Sequence, residues 1–316
     1  MAENRIMHAV HYNSYGGGPA ALKHLKIPNQ AYLQQVHVSV PTPNKDEVLM
    51  KLEAISLNPV DWKTQKGTFR PLLPYKFPFI PATDVAGEVL GVGSDVKNFK
   101  AGDKVVAMIS QTTLTEAAGI KLDGSGEQTN IRITAASGGV GDHYAVQLAK
   151  LGNTHVTATC GARNIELVKS LGAVEVVDYT TPVGATIKSP CGRKYDAVIH
   201  CATGIPWSTF EPNLSEYGKV IDIAPPLTAM FSYYLNKVAF PKKQLVPIQL
   251  KAKGENLDYL VKLMKQGKLK TVIDSKHFLS KVEDTWAKSI DGHATGKIIV
   301  EPYASETYKF LSVAEI

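Results

Sequence analysis

Residues 131–160 run in an order that few architectures accept. An apolar strand-like segment, Ile131–Ala135, leads into a glycine-rich turn, Ala135-Ala136-Ser137-Gly138-Gly139-Val140-Gly141. Ala145, Leu148 and Ala149 follow at helical spacing, Gly152 reads as the helix stop, and His155–Cys160 is a β-branched strand. The alternation continues. Ile165, Val168 and Leu171 form a helical stripe ended by Gly172. Val174–Tyr179, Tyr195–Cys201 and Gly218–Ala224 read as strands. Leu257, Leu260, Val261 and Met264 make a later stripe stopped by Gly267. Strands alternating with helices predict an α/β fold with a doubly wound parallel sheet of Rossmann type. The first hundred residues differ. Val48–Ala54, Asp84–Gly93 and Asp103–Met108 are short runs punctuated by Gly and Pro, which predicts a β-rich domain ahead of the parallel sheet.

The glycine turn carries the chemistry. Glycines let the backbone approach a pyrophosphate, and the helix that follows presents free N–H groups and the positive end of its dipole. Ser137, Gly138, Gly139, Val140 and Gly141 are therefore candidate cofactor contacts. The next strand ends in Thr159-Cys160-Gly161-Ala162-Arg163, about 20 residues on, where NAD-specific folds place a carboxylate on the ribose. No acidic residue occurs there before Glu166, and Arg163 would attract a 2′-phosphate. NADPH is therefore the expected cofactor, with Cys160, Gly161 and Arg163 as further contacts. Tyr179 would lie over the adenine ribose or its phosphate. The plain alternatives stay open: Arg163 as a solvated helix-start residue, and Tyr179 as a strand-end tyrosine with its hydroxyl in water.

Composition narrows the classes. The net charge of +6 is dispersed, as at Lys262, Lys265, Lys268 and Lys270, so no nucleic-acid partner is expected. The three cysteines, Cys160, Cys191 and Cys201, form no CxxC pair, which points to a reducing compartment and to no metal site. The N-terminal run MAENRIMHAVHY has no hydrophobic signal core and no Arg- and Ser-rich transit character.

A family pattern is present as well. Asn58-Pro59-Val60-Asp61-Trp62-Lys63, Asp84-Val85-Ala86-Gly87-Glu88-Val89, Gly102-Asp103-Lys104-Val105 and Ala135–Gly141 resemble quinone oxidoreductases of the medium-chain dehydrogenase/reductase superfamily. Cys160–Asn164 and Gly292–Val300 resemble the plant branch, the chloroplast envelope quinone oxidoreductase homologues. The resemblance implies a GroES-like catalytic domain over 1–112, a Rossmann domain over 113–275, a return of 276–302 to the first domain, and a tail over 303–316. It implies zinc-free hydride transfer from NADPH to a quinone or to the C=C bond of an α,β-unsaturated carbonyl. Lys63 would be the donor or cation at the developing oxyanion, positioned by Asp61, with Asn58 orienting nicotinamide or substrate. Without the family, Asn58-Pro59 reads as a turn and Asp61–Lys63 as a surface pair. A chloroplast location peripheral to the envelope follows from the resemblance, with the cytoplasm as the alternative. A homodimer is the family's habit.

Four features depart from that pattern. Family members carry a longer connection between Asp103 and Gly138; here Met108–Gln111 runs straight towards Thr113–Glu116. An extra residue puts Asp142, His143 and Tyr144 ahead of Ala145, which predicts Tyr144 in the close helix–strand contact, a distorted helix start and weaker cofactor binding. Lys26–Gln35 is an apparent surface insertion, and Tyr303–Ile316 reads as peripheral. Two functions follow: an active reductase, or a catalytically impaired variant acting as a nucleotide-binding or membrane-peripheral interaction protein.

Overall fold

A computed structural model describes residues 6–21, 36–39, 42–70, 74–82, 84–107, 128–139, 142–223, 225, 242–248, 254–302 and 308–312. The chain divides into two compact units. One comprises Met1–Ile109, Ala252–Asp258 and Ile273–Ile316; the other comprises Ser110–Lys251 and Tyr259–Val272. The insertion Lys26–Gln35 and the expected junction at 108–127 lie outside the described residues.

In chain order the first unit opens with β1 (Ile6–Ala9), α1 (Gly18–Ala21), β2 (Val36–Ser39), β3 (Glu47–Leu57), α2 (Pro59–Lys66), β4 (Asp84–Val92) and β5 (Lys104–Ala107). The second unit supplies β6 (Asn130–Ile133), α3 (Asp142–Leu151), β7 (His155–Cys160), α4 (Ile165–Ser170), β8 (Glu175–Asp178) and α5 (Pro182–Ala185). It continues through β9 (Tyr195–His200), α6 (Trp207–Phe210), β10 (Leu214–Asp222), β11 (Gln244–Pro247) and α7 (Gly254–Lys265), a helix whose first residues fall in the first unit. The chain then returns to the first unit with β12 (Ile273–Phe278), α8 (Val282–Asp291), β13 (Lys297–Glu301) and β14 (Tyr308–Ser312).

The first unit is organised by β3, which lies between β13 and β4 in the order β12-β13-β3-β4-β5. Its buried residues are Val48, Met50 and Leu52, then Ile55 and Leu57. The parity changes because the register with β4 slips between Leu52 and Ala54. The extra residue of this bulge turns the rest of the strand over, so both halves send apolar side chains into one core. Trp286 of α8 closes that core, and its indole N–H donates to Gln65 Oε1 of α2 at 2.8 Å. β13 covers only Ile55–Leu57 of its edge of β3. The tail, expected to be peripheral, instead pairs there: Tyr308–Ser312 run antiparallel to Glu47–Lys51. An open strand edge is a row of unpaired N–H and C=O groups, and β14 satisfies it.

The second unit is a parallel sheet in the order β11-β10-β9-β6-β7-β8. Ile131 and Ile133 of β6, Val156 and Ala158 of β7, and Ile199 of β9 are buried, as expected for strands covered on both faces. Ala145, Val146 and Ala149 of α3 join the same core. Tyr144 does not. It packs beside Leu148, Leu260, Leu263 and Leu269, and its hydroxyl lies 2.9 Å from Thr271 Oγ1. The extra residue therefore leaves Ala145, not the tyrosine, in the close contact with the sheet. Two smaller expectations also change. The left-handed residue after α3 is Asn153 (φ 56°) rather than Gly152. The buried stripe of α7 is Leu260 and Leu263, with Met264 exposed. Among the described residues no helix is long and apolar enough to cross a membrane.

Candidate functional site

In the second unit β6 leads through α3 to β7 on one side, while β9 returns to the other side of β6. The carboxyl ends of β6 and β9 therefore face the topological switch point, where open α/β sheets take ligands. Thr134, just past β6, ties the two ends together. Its Oγ1 accepts N–H bonds from Cys201 (2.9 Å) and Ala202 (3.3 Å) and lies 3.0 Å from His200 Nδ1. With its lone pairs so used, the hydroxyl donates to Nδ1, which fixes the neutral Nε2–H imidazole. Burial lowers the His200 pKa, against the pull of Asp222.

The glycine turn follows at once. Ala135 adopts a left-handed φ of 55°, and Gly138 N–H donates back to its carbonyl at 2.8 Å. His143 Nδ1, fully buried, donates to Gly138 O at 2.9 Å. Asn164 Nδ2 donates to Ser137 Oγ at 3.0 Å, which joins this turn to the one after β7. Gly139 is half-buried, and Val140 and Gly141 lie outside the described residues. Asp142, the first residue of α3, is buried. Its carboxylate lies against Gly138 so closely that a Cβ there would stand 1.9 Å from Oδ2. Burial raises the Cys201 thiol well above its usual range, and the Asp142 charge adds to the shift.

The turn after β7 is open by contrast. Gly161 precedes a 3₁₀ turn, Ala162–Asn164, and a Cβ on it would meet only the Tyr179 ring, at 3.7 Å. The protein's own packing does not require glycine there, and the space suits a ligand. Arg163 is exposed beside it, and Tyr179 is 53% exposed. Cys160 differs from its neighbours: its thiol sits in the core, pushed up to about 11 by burial and by Asp178. Its carbonyl accepts the Tyr179 N–H at 3.2 Å. Cys160 can shape a cofactor wall only through its backbone. The residues at the end of β7 leave room for the ribose of a dinucleotide. The glycine turn has the right placement, but it already holds a carboxylate where a pyrophosphate would bring its own negative charge.

In the first unit the Asn58–Lys63 motif forms the start of α2. Pro59 occupies the first helical position, where its missing N–H costs nothing, and Gly67 ends the helix at φ 86°. Asp61 Oδ2 accepts the Asn58 N–H at 2.7 Å, so Asp61 caps the helix. Residues two apart on a helix do not face each other, so this geometry assigns Asp61 to the cap rather than to Lys63. Lys63 is half-buried, with Nζ 5.7 Å from the Trp62 ring centroid. The Asn58 side chain sits in a buried polar centre absent from the sequence-level expectations. Nδ2 donates to Asp84 Oδ2 at 2.7 Å, and Oδ1 accepts from Lys297 Nζ at 2.9 Å. Lys297 also pairs with Asp84 at 3.3 Å. The separation of Lys297 from Asn58 along the chain hid it; only the pairing of β13 with β3 brings it close.

Residues 44–154 match the family described as alcohol dehydrogenase GroES-like domain, and residues 171–300 the one described as zinc-binding dehydrogenase. The chain is 60% identical to the chloroplast envelope quinone oxidoreductase homolog of Arabidopsis thaliana, over 94% of this chain and 99% of that protein. That alignment spans 338 positions but covers only 94% of the 316 residues here, so the relative carries residues within it that have no counterpart in this chain. The chain is 29% identical to the NADPH-dependent alkenal/one oxidoreductase of the same plant, over 92% of this chain and 78% of that protein. Its fold is similar to that of the quinone oxidoreductase from Coxiella burnetii, with a TM-score of 0.75 and 25% identity, covering 94% of this chain and 99% of that one.

Proposed function

The chain belongs to the quinone oxidoreductase family of the medium-chain dehydrogenase/reductase superfamily, and from that membership we propose that it is an NADPH-dependent reductase of quinones or of the C=C bond of α,β-unsaturated carbonyls. The observation that carries the cofactor is the open turn after β7, where Gly161 leaves room, Arg163 supplies a cation and the turn Gly161–Asn164 itself carries no acidic residue. Ser137, Gly138 and Gly139 hold the pyrophosphate side, with Tyr179 over the adenine ribose. Bound NADPH supplies the hydride. As negative charge develops on the acceptor oxygen, Lys63 stabilises it, and Asn58 and Asp61 hold the start of α2 that carries Lys63. The reaction needs no zinc in this reading, because Lys63 supplies the positive charge at the acceptor oxygen. By the same kinship the protein works in the chloroplast, at the envelope surface and as a homodimer.

Titration calorimetry with NADPH and NADH tests the cofactor. Arg163→Glu should weaken NADPH by about 10- to 100-fold, or about 1.4–2.8 kcal/mol, and leave NADH nearly unchanged. Equal losses for both would refute the assignment. A second reading rests on Asp142, whose carboxylate stands against Gly138. In that reading the chain is a catalytically impaired member that binds nucleotide weakly or not at all. Calorimetry on the unsubstituted protein separates the two, since only the first requires NADPH-selective binding.

A further inference from the structure

At the amino ends of β7 and β8, the edge of the sheet opposite the glycine turn, three side chains with metal-binding atoms converge: His155, Glu175 and Cys191. Their ligand atoms lie within 4.8 Å of one another. His155 and Glu175 open adjacent parallel strands on one face, and Cys191 comes from the loop before β9. His155 Nε2 is buried and has no hydrogen-bond partner, which in a native fold asks for a water or an ion. It stands 3.4 Å from Glu175 Oε2. That is long for a charge-assisted hydrogen bond, which runs about 2.7–2.9 Å. It equals the ligand–ligand edge of a tetrahedral zinc site, about 3.4 Å for bonds of about 2.1 Å. Glu175 is also oriented from behind: the buried Thr157 hydroxyl donates to Oε2 at 2.9 Å, the kind of outer contact that fixes a ligating carboxylate.

We propose that His155 Nε2, a Glu175 carboxylate oxygen and Cys191 Sγ form a zinc(II) site with a fourth position open to water. Imidazole, carboxylate and thiolate together suit zinc better than they suit magnesium or calcium, which prefer oxygen alone. One carboxylate and one thiolate neutralise the ion. The Cys191 thiol is exposed, with Sγ 3.0 Å from Ser189 Oγ. Lying at the opposite end of the strands from the glycine turn, the ion would join β7, β8 and the loop at Cys191, away from the dinucleotide end of the sheet.

Cobalt(II) is the probe. The reduced full-length protein should take up one equivalent, with visible d–d bands and a near-ultraviolet thiolate-to-cobalt band, and zinc should displace it. Cys191→Ser, at an exposed position, should abolish the thiolate band with the circular dichroism unchanged. His155→Ala should weaken binding at least tenfold, and Thr157→Val by about 10- to 100-fold. Zinc should raise the melting temperature of the unsubstituted protein but not of Cys191→Ser. No uptake, or uptake that survives Cys191→Ser or His155→Ala unchanged, overturns the site. None of these readouts depends on dinucleotide binding or turnover, so failure here is distinct from failure of the reductase reading.

Discussion

Asp84 in the first unit and Asp142 in the second are both buried carboxylates, yet they are compensated by different means. Asp84 meets the Lys297 ammonium at 3.3 Å and the Asn58 amide at 2.7 Å, a closed arrangement of full charges and hydrogen bonds. Asp142 sits in the first turn of a ten-residue helix, where the positive end of the dipole favours an anion. The two arrangements differ in what they leave for a ligand. A carboxylate matched by a lysine makes no further demand and holds β3, β4 and β13 in register. A carboxylate at a helix start, pressed on Gly138, takes the place that the same helix would otherwise offer to a phosphate.

The sharpest way to test the first half of this contrast is to remove the cation. Lys297→Met leaves Asp84 buried without its partner and should destabilise the first unit by about 3–5 kcal/mol, read by urea unfolding. Adding Asp84→Asn should recover much of the loss, because the penalty lies in the orphaned charge. A single-substitution cost below about 1 kcal/mol would mean that Asp84 takes up a proton or reaches water, and the contrast with Asp142 would then collapse.

The second half is tested at the glycine turn. Asp142→Asn keeps the shape and removes the charge beside Gly138. NADPH affinity should rise by about tenfold, about 1.4 kcal/mol, in calorimetric titration. Weaker binding would show instead that the carboxylate holds the turn in its binding shape, and that its charge is part of the site rather than an obstacle to it.

What could be read in advance divides along similar lines. The limits of β7, His155–Cys160, were legible because β-branched residues fill a short run between turn residues. The glycine turn was legible because its residues are contiguous. The bulge in β3 was not: the parity change at Glu53-Ala54 appears only against the register of β4. Lys297 lies in the Gly292–Val300 run that carries the family resemblance, but its burial depends on β13 pairing with β3. Asp61 beside Lys63 suggested a pair, but helical geometry sends them apart and gives Asp61 to the Asn58 N–H. His155, Glu175 and Cys191 have no motif spacing at all, so their convergence could not be read from a count of cysteines. Local periodicity reports elements; contacts fixed by sheet order become visible only once that order is known.

The smallest effect expected concerns the side chain that could have played the part of Lys297 in the second unit. His200 lies near Asp222 but is held neutral, its pKa lowered chiefly by burial, and its Nδ1 accepts from Thr134. Because the folded pKa lies below the unfolded value near 6.5, protons bind the unfolded chain more readily in that window. The stability linked to His200 is therefore complete above about pH 6.5 and is lost as pH falls through the lower, folded pKa. Melting temperature followed from about pH 8 to pH 5 should fall less steeply in His200→Gln than in the unsubstituted protein. Identical slopes would mean that folding does not shift His200, and a steeper fall in His200→Gln would mean that His200 is charged in the folded state and pairs with Asp222. In the latter case the second unit would balance a buried carboxylate with a cation as the first does with Asp84, and Asp142 at its helix start would differ from both.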